Sequence, residues 1–251
     1  MHASALLVSA LSTAVFAAPV TPNLNTDAAT PVRLDVISDY FNLLAGKVQQ
    51  SKLLTMAPVC DLSKAYLPAA PTPLPAPSAG LTLKHVAIGR GTQNYTCDVN
   101  NATAVPAAVG AVATLFNASC LTTVYPDLAQ KLAAASVQFN LTQAFGLAPG
   151  NLVASGNHFF SNNTTPVFDL DSTPFWKLGQ IPCNKTHATP APADAVKGQQ
   201  GELAVPWLKL AARTGATGGL QEVYRVNTVG GSAPATCKGL SATFQVQYAA
   251  E

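Results

Sequence analysis

Four histidines, five cysteines and the segment Gly89-Arg90-Gly91-Thr92-Gln93 are the residues whose types and spacing could do chemistry. A guanidinium between two glycines can meet an anion or a sugar together with backbone N–H groups. The same glycines also suit a β-bulge or tight turn. His85 and His158 are residue types that serve as bases or metal ligands, and a metal centre would need them to converge with Asp169 or Asp171. No H-x-H or HExxH spacing links the histidines and no CxxC pair occurs, so no metal is expected. Arg225, Asn227 and Thr228 precede Gly230-Gly231. They would offer polar groups at a sheet edge, or Arg225 would serve as a strut against Glu222 or Asp169. Trp176, Trp207, Tyr95 and Tyr224 could stack on sugar faces. Of these, Trp207 between Val205 and Leu208 reads as core, and Trp176 beside Pro174 and Lys177 as exposed. The candidate ligand-binding set is Arg90, Gln93, Tyr95, His158, Trp176, Arg225 and Asn227. A Gly-x-Ser-x-Gly elbow is absent.

The compartment is written more plainly than the site. Met1-His2-Ala3-Ser4 leads into an apolar stretch ending at Ala17, too short to cross a membrane and suited to a signal peptide over residues 1–17. Val15 and Ala17 are the small residues a signal peptidase reads. Seven Asn-x-Ser/Thr sequons follow, at Asn94, Asn101, Asn117, Asn140, Asn162, Asn163 and Asn184. Asn94 lies in an expected strand, so the other six are the expected glycosylation sites. Cys60, Cys97, Cys120, Cys183 and Cys237 predict two bridges and one leftover thiol in an oxidising compartment. The favoured pairing joins Cys97 to Cys120, and Cys60 or Cys183 to Cys237. Charged residues are 10% and the net charge is +2, without a basic run, so nucleic acid is not an expected partner.

The elements that must position these residues come next. Residues 18–80 read as a leader, a helix and a Pro-rich connector. Ile37, Phe41, Leu44 and Val48 recur at helical spacing within Leu34–Leu54 and predict an amphipathic helix. Pro68, Pro71, Pro73, Pro75 and Pro77 predict an extended hinge or strap. Residues 81–251 read as a β-rich domain. A strand is expected from Leu81 to Ala87, broken at Gly89-Arg90-Gly91 and resumed over Thr92–Cys97. Further strands are expected over Ala111–Asn117, Leu152–Phe160, Val167–Leu170, Pro206–Ala212, Leu220–Thr228 and Thr243–Ala249. Pro126–Ala135 predicts one short helix, and Ala188–Gly198 a loop. The fold class is all-β or β-rich, an antiparallel sandwich or barrel with an N-terminal amphipathic helix and one short internal helix.

Four segments then stand out together: "HVAIGRGTQNYTC" (His85–Cys97), "GNHFF…TPVFDL" (Gly156–Leu170), "VPWLKLAART" (Val205–Thr214) and "VYRVNTVGGSAPATC" (Val223–Cys237). With them the chain resembles the DUF3455 family, secreted fungal and bacterial proteins of unknown function, from about Val32 onward. The resemblance implies a last strand shortened at Tyr248-Ala249-Ala250-Glu251 relative to other members. Fungal members are often labelled malate dehydrogenase, but the residues here argue against it. A dinucleotide fingerprint needs G-x-G-x-x-G, and after Gly89 and Gly91 the third position is Asn94. No cofactor is expected. The expected role is that of a secreted glycoprotein acting as an extracellular or cell-wall-associated binding or structural module. Its partner would be a cell-wall polysaccharide or a small extracellular ligand. The alternative is an extracellular enzyme acting on a carbohydrate or small molecule through His158, Arg90 or Arg225, two or more of which would share one pocket with an acidic residue.

Overall fold

The computed structural model describes residues 31–141, 146–174 and 176–251. The expected signal peptide lies outside them. The chain is β-rich, with a ten-stranded antiparallel sheet curled into a half-barrel. The elements are α1 (Pro31–Ser51), β1 (Ala87–Thr96), β2 (Ala107–Asn117), α2 (Ser119–Val124), α3 (Pro126–Ser136), β3 (Gly146–Leu147), β4 (Leu152–Asn162), β5 (Thr165–Asp169), β6 (Gln180–Thr189), β7 (Trp207–Ala212), β8 (Glu222–Arg225), β9 (Val229–Gly230) and β10 (Thr243–Ala250). The spatial order is β8-β7-β6-β5-β4-β2-β1-β10-β9, with β3 beside β4. The curl brings the ends of this order together. Val226 and Glu251 exchange backbone hydrogen bonds of 2.8 and 2.9 Å, and Ala204 bridges Gly231.

Small residues permit the curl. One row of cross-strand partners runs Phe168, His158, Ala113, Gly91, Tyr248. A Cβ at Gly91 would sit 1.9 Å from the Val112 carbonyl oxygen and 2.5 Å from Ala113 Cα, so only glycine fits. Gly89-Arg90-Gly91 is therefore continuous strand, not the break expected from two glycines. The irregularity in β1 falls at Asn94/Tyr95 instead. Residues 81–86 lie outside any strand, whereas β6, within residues 180–189, was not expected, because Pro182 and the exposed run Asn184–Ala188 hide its alternation.

The helices cover the outer face of β1 and β10. Tyr40, Leu43 and Leu44 of α1 pack with Leu128 and Leu132 of α3 and with Ile88 of β1. Phe41 and Val48, expected to face inward, are 46% and 45% exposed. The helix is rotated because α3, not the sheet, is its main support. The Pro-rich segment is a strap. Ala70 and Leu74 pack on Trp207 and Val226, and the Pro75 carbonyl accepts from the Tyr224 hydroxyl at 2.8 Å. Ser78 donates from N and Oγ to Glu222, at 3.2 and 2.6 Å, and Lys209 Nζ reaches Glu222 at 3.1 Å.

Two disulfides tie these layers, with pairings that differ from the favoured ones. Cys60 joins Cys120, and Cys97 joins Cys237. Cys183 is free and buried in the Ile181–Leu210 cluster, so it leaves the disulfide set. Proximity in sequence favoured Cys97–Cys120, but these cysteines follow opposite ends of adjacent antiparallel strands. Cys97 comes just after the end of β1, and Cys120 lies in α2 just after the end of β2.

Peptide mapping under non-reducing conditions is expected to recover Cys60–Cys120 and Cys97–Cys237, with Cys183 alkylated only after unfolding. The bridges span 60 and 140 residues. In the chain-entropy description, removal should cost about 4 and about 5 kcal/mol respectively, measurable by chemical denaturation of the paired Cys→Ser variants.

Candidate functional site

Strand alternation sorts the seven candidate residues onto different faces. Gln93 and Tyr95 oppose Val246 and Phe244 across β10, in step with Gly91 and Tyr248. They share the inner face of the curl with His158. Arg225 pairs with Leu208, which packs in the inner cluster of Ile181, Cys183 and Leu210. Arg90 is one residue out of step and faces the helices. Asn227 and Trp176 lie elsewhere. The structure thus gathers Gln93, Tyr95, His158 and Arg225, and adds Tyr248, which sequence reading missed. Its signal was the alternation of β10, where Phe244, Val246 and Tyr248 fall on one face.

Arg90 is spent on structure. Its Nε donates to Ser136 O at 3.1 Å, Nη1 to Gly91 O at 3.1 Å and Tyr248 O at 3.3 Å, and Nη2 to Val137 O at 3.3 Å and Phe139 O at 3.0 Å. Gln247 Oε1 accepts from Nη2 as well. Burial pushes the guanidinium down to about 10, so it keeps its charge at neutral pH. The carbonyls of Ser136 and Val137 end α3, where a cation is favoured by the helix dipole. The expected anion-binding arginine is instead the cap that fixes α3 to the sheet.

The inner face differs. His158 is 6% exposed, donates from Nδ1 to Val167 O at 2.9 Å, and stacks on Phe168 at 4.3 Å. Burial, helped by the Arg225 charge, lowers its pKa to about 4, outweighing the Val167 bond. The ring is neutral at pH 7, with its lone pair on Nε2. The Tyr95 hydroxyl donates to Gly231 O at 2.7 Å, and its ring stacks on Phe244 at 5.4 Å. Tyr248 is 2% exposed; burial raises its pKa while Arg225 and Gln93, beside its hydroxyl, oppose the rise. Arg225 is half-buried. Its Nη2 donates to Pro206 O at 2.8 Å, and its Nε has no partner. Gln93, 8% exposed, turns its side-chain amide to the Tyr248 hydroxyl in a hydrogen bond. Two expectations for Arg225 fall here, since Glu222 is taken by Lys209 and Ser78 while Asp169 accepts from the Asp171 N–H.

The remaining candidates are dispersed. Asn227, at φ 48, donates to Glu251 Oε2 at 2.6 Å, and Thr228 donates to Val205 O at 2.6 Å. Both are buried, so neither projects from a sheet edge. Trp176 is half-buried against His85, at 6.0 Å, rather than standing free. Trp207 is core, and Tyr224 lies under the strap. No shared aromatic platform forms among these rings. His85 meets Ser155 Oγ at 2.9 Å. Asp169 opposes Asn157, one residue out of step with the His158–Phe168 pair, so His158 does not converge with it. Among the described residues no group of three His, Cys, Asp or Glu is placed to hold a metal, and no helix is long and apolar enough to cross a membrane. A separate open groove of about 590 Å³ is lined by Asn162, Thr165, Asn184 and Arg213.

The model of a family described as a protein of unknown function (DUF3455) matches residues 77–251. No curated protein and no solved structure matches the chain.

Two outcomes follow from this geometry. Arg90→Met should lose on the order of 3–5 kcal/mol in denaturant unfolding, because it strands several buried carbonyls. His158 has a folded pKa below its unfolded value, so the unfolded chain binds more protons between them. Its contribution is full above about pH 6.5 and is lost as pH falls toward 4, a swing of about 3 kcal/mol. Glu251, whose carboxyl burial raises, acts with the opposite sign as pH rises. His158→Phe should flatten the measured stability slope between pH 6.5 and 4.

Proposed function

This chain belongs to the DUF3455 family, and on that footing we propose that it works outside the cell as a binding module, with the inner face of the curled sheet as its site. The observation that carries the reading is an unspent charged donor. Arg225 Nε lacks a partner on the face where Gln93, Tyr95, Tyr248 and a neutral His158 are gathered. Buried polar groups are ordinarily paired, and unpaired ones need a reason such as a ligand. The enzyme reading loses ground on the same face. Arg90 is turned away, and no ion pair among the described residues brings a carboxylate to Arg225.

Two cysteine pairs at bridging distance support maturation in an oxidising export pathway. The sequons at Asn101, Asn140, Asn162, Asn163 and Asn184 are exposed, as attached sugars require. Asn117 is half-buried, so we expect it to carry less glycan than those five.

The full chain, expressed with its first 17 residues through a secretory host, should reach the medium with endoglycosidase-sensitive sugar. Presented to cell-wall fractions and a glycan array, it should be retained by at least one. Arg225→Gln or Gln93→Ala should weaken that retention about tenfold, roughly 1.4 kcal/mol, whereas Lys185→Ala on the exposed part of β6 should leave it unchanged. A folded protein that is retained nowhere and stays in the cytosol would refute the reading.

A further inference from the structure

We infer that the open groove of about 590 Å³ is a seat for this chain's own carbohydrate, the innermost sugars of an N-glycan carried by Asn162. The inference rests on the export reading above and adds a binding site apart from the inner face. The groove has a cause in the strand pairing. β6 is laddered to β5 only as far as Pro182, which opposes Val167, and from Cys183 onward it is laddered to β7. Proline has no N–H to continue a ladder, and the Pro182 carbonyl accepts from the Arg213 N–H at 2.8 Å. Past that point β5 and β6 part, and residues of both banks line the groove. Pro182 and Asn184 alternate with Ile181 and Cys183 of the inner cluster, so the groove lies on the outer face of the sheet.

Its lining is chemically suited to a sugar. Asn162 and Thr165 stand on one bank, Asn184 and Arg213 on the other, and Pro182 and Ala212 supply small apolar surface. No carboxylate lines it. Arg213 is exposed, and its Nη1 spans the gap to donate to Thr165 Oγ1 at 2.7 Å. Amides, a hydroxyl and a guanidinium beside small apolar groups match the hydroxyls and acetamide of N-acetylglucosamine. An apolar ligand would need the hydrophobic walls that this groove lacks.

The sequons beside the groove are Asn162-Asn163-Thr164, Asn163-Thr164-Thr165 and Asn184-Lys185-Thr186. Only the first is pre-aimed. Asn162 Oδ1 accepts from Thr164 N and from Thr164 Oγ1, each at 2.9 Å. Those two bonds fix the amide plane and leave Nδ2, the atom that carries the sugar, free. In the overlapping sequon Thr165 is 6% exposed with its hydroxyl bound by Arg213, and Asn163 does not line the groove. Thr186 gives its hydroxyl to Lys209 O at 3.0 Å, and no hydrogen bond among the described residues orients Asn184. A sugar on a fixed amide loses less freedom when it settles against the protein.

The test is made on the full glycoprotein from a secretory host. Glycopeptide mapping should find sugar on Asn162 and none on Asn163. Peptide N-glycosidase, which cuts the bond to the asparagine, should release the Asn162 glycan from the native protein about tenfold more slowly than the Asn101 glycan. After denaturation the two rates should match. Arg213→Gln should bring the native rate at Asn162 up to that at Asn101. Trimming every glycan to its first sugar should leave Tm within about 1 °C, whereas complete removal should lower it by about 2–4 °C. That loss should vanish in the variant combining Asn162→Gln with Asn163→Gln, which carries no sugar at the groove. Sugar on Asn101 but not on Asn162, equal native release rates, or a Tm unmoved by complete removal would overturn the seat and leave the export reading standing. A chain with sugar at no sequon would overturn both.

Discussion

A single guanidinium holds the layers of this molecule in register. Arg90 reaches from β1 toward the helices and donates to carbonyls at the end of α3, to its own strand neighbour Gly91 and to Tyr248 on β10. Carbonyls at a helix C-terminus have no intrahelical donors, and in a dry interface each would be costly to leave bare. A planar donor with five N–H groups satisfies several at once, which a lysine cannot do. α3 then carries α1 on its far side through Leu128 and Leu132, so the helical layer hangs from that contact and from Ile88 beside it.

The sheet achieves its curl by keeping one row small. Gly91 and Ala113 sit between His158 and Tyr248, and the larger rings close in from either side. That narrowing brings β8 round toward β10, where Val226 and Glu251 exchange backbone bonds. The disulfides fasten other seams. Cys97–Cys237 ties the end of β1 to the segment before β10, and Cys60–Cys120 ties the segment after α1 to α2. With only 10% charged residues, the chain leans on such covalent and hydrogen-bonded ties more than on surface ion pairs.

The two arginines, on opposite faces of the sheet, are used differently. Arg90 is buried among acceptors, whereas Arg225 is half-buried and donates to a single carbonyl. Aromatic rings, a neutral imidazole and small residues complete the second environment. Such a face sets a cation beside aromatic surface, the feature on which the proposed binding role rests.

Local pattern reached a good part of this architecture. Short runs bounded by turn residues marked β2, β4, β5, β7 and β10, alternation marked β8, and Pro126 opened α3, because local residue types and spacing report where an element starts, stops and turns its apolar side. Sequence also marked the family through its four long segments, and the export pathway through its leader, sequons and cysteines as an expectation. Pairing lay beyond it. Whether Cys97 meets Cys120 or Cys237, whether Glu222 serves Arg225 or Lys209, and whether Arg90 faces ligand or helix all depend on contacts between residues far apart in sequence. A strand's periodicity gives two faces without saying what lies across each. Only the curl of the sheet decided that Arg90 would be consumed as a cap and that Gln93, Tyr95, His158 and Arg225 would share one interior.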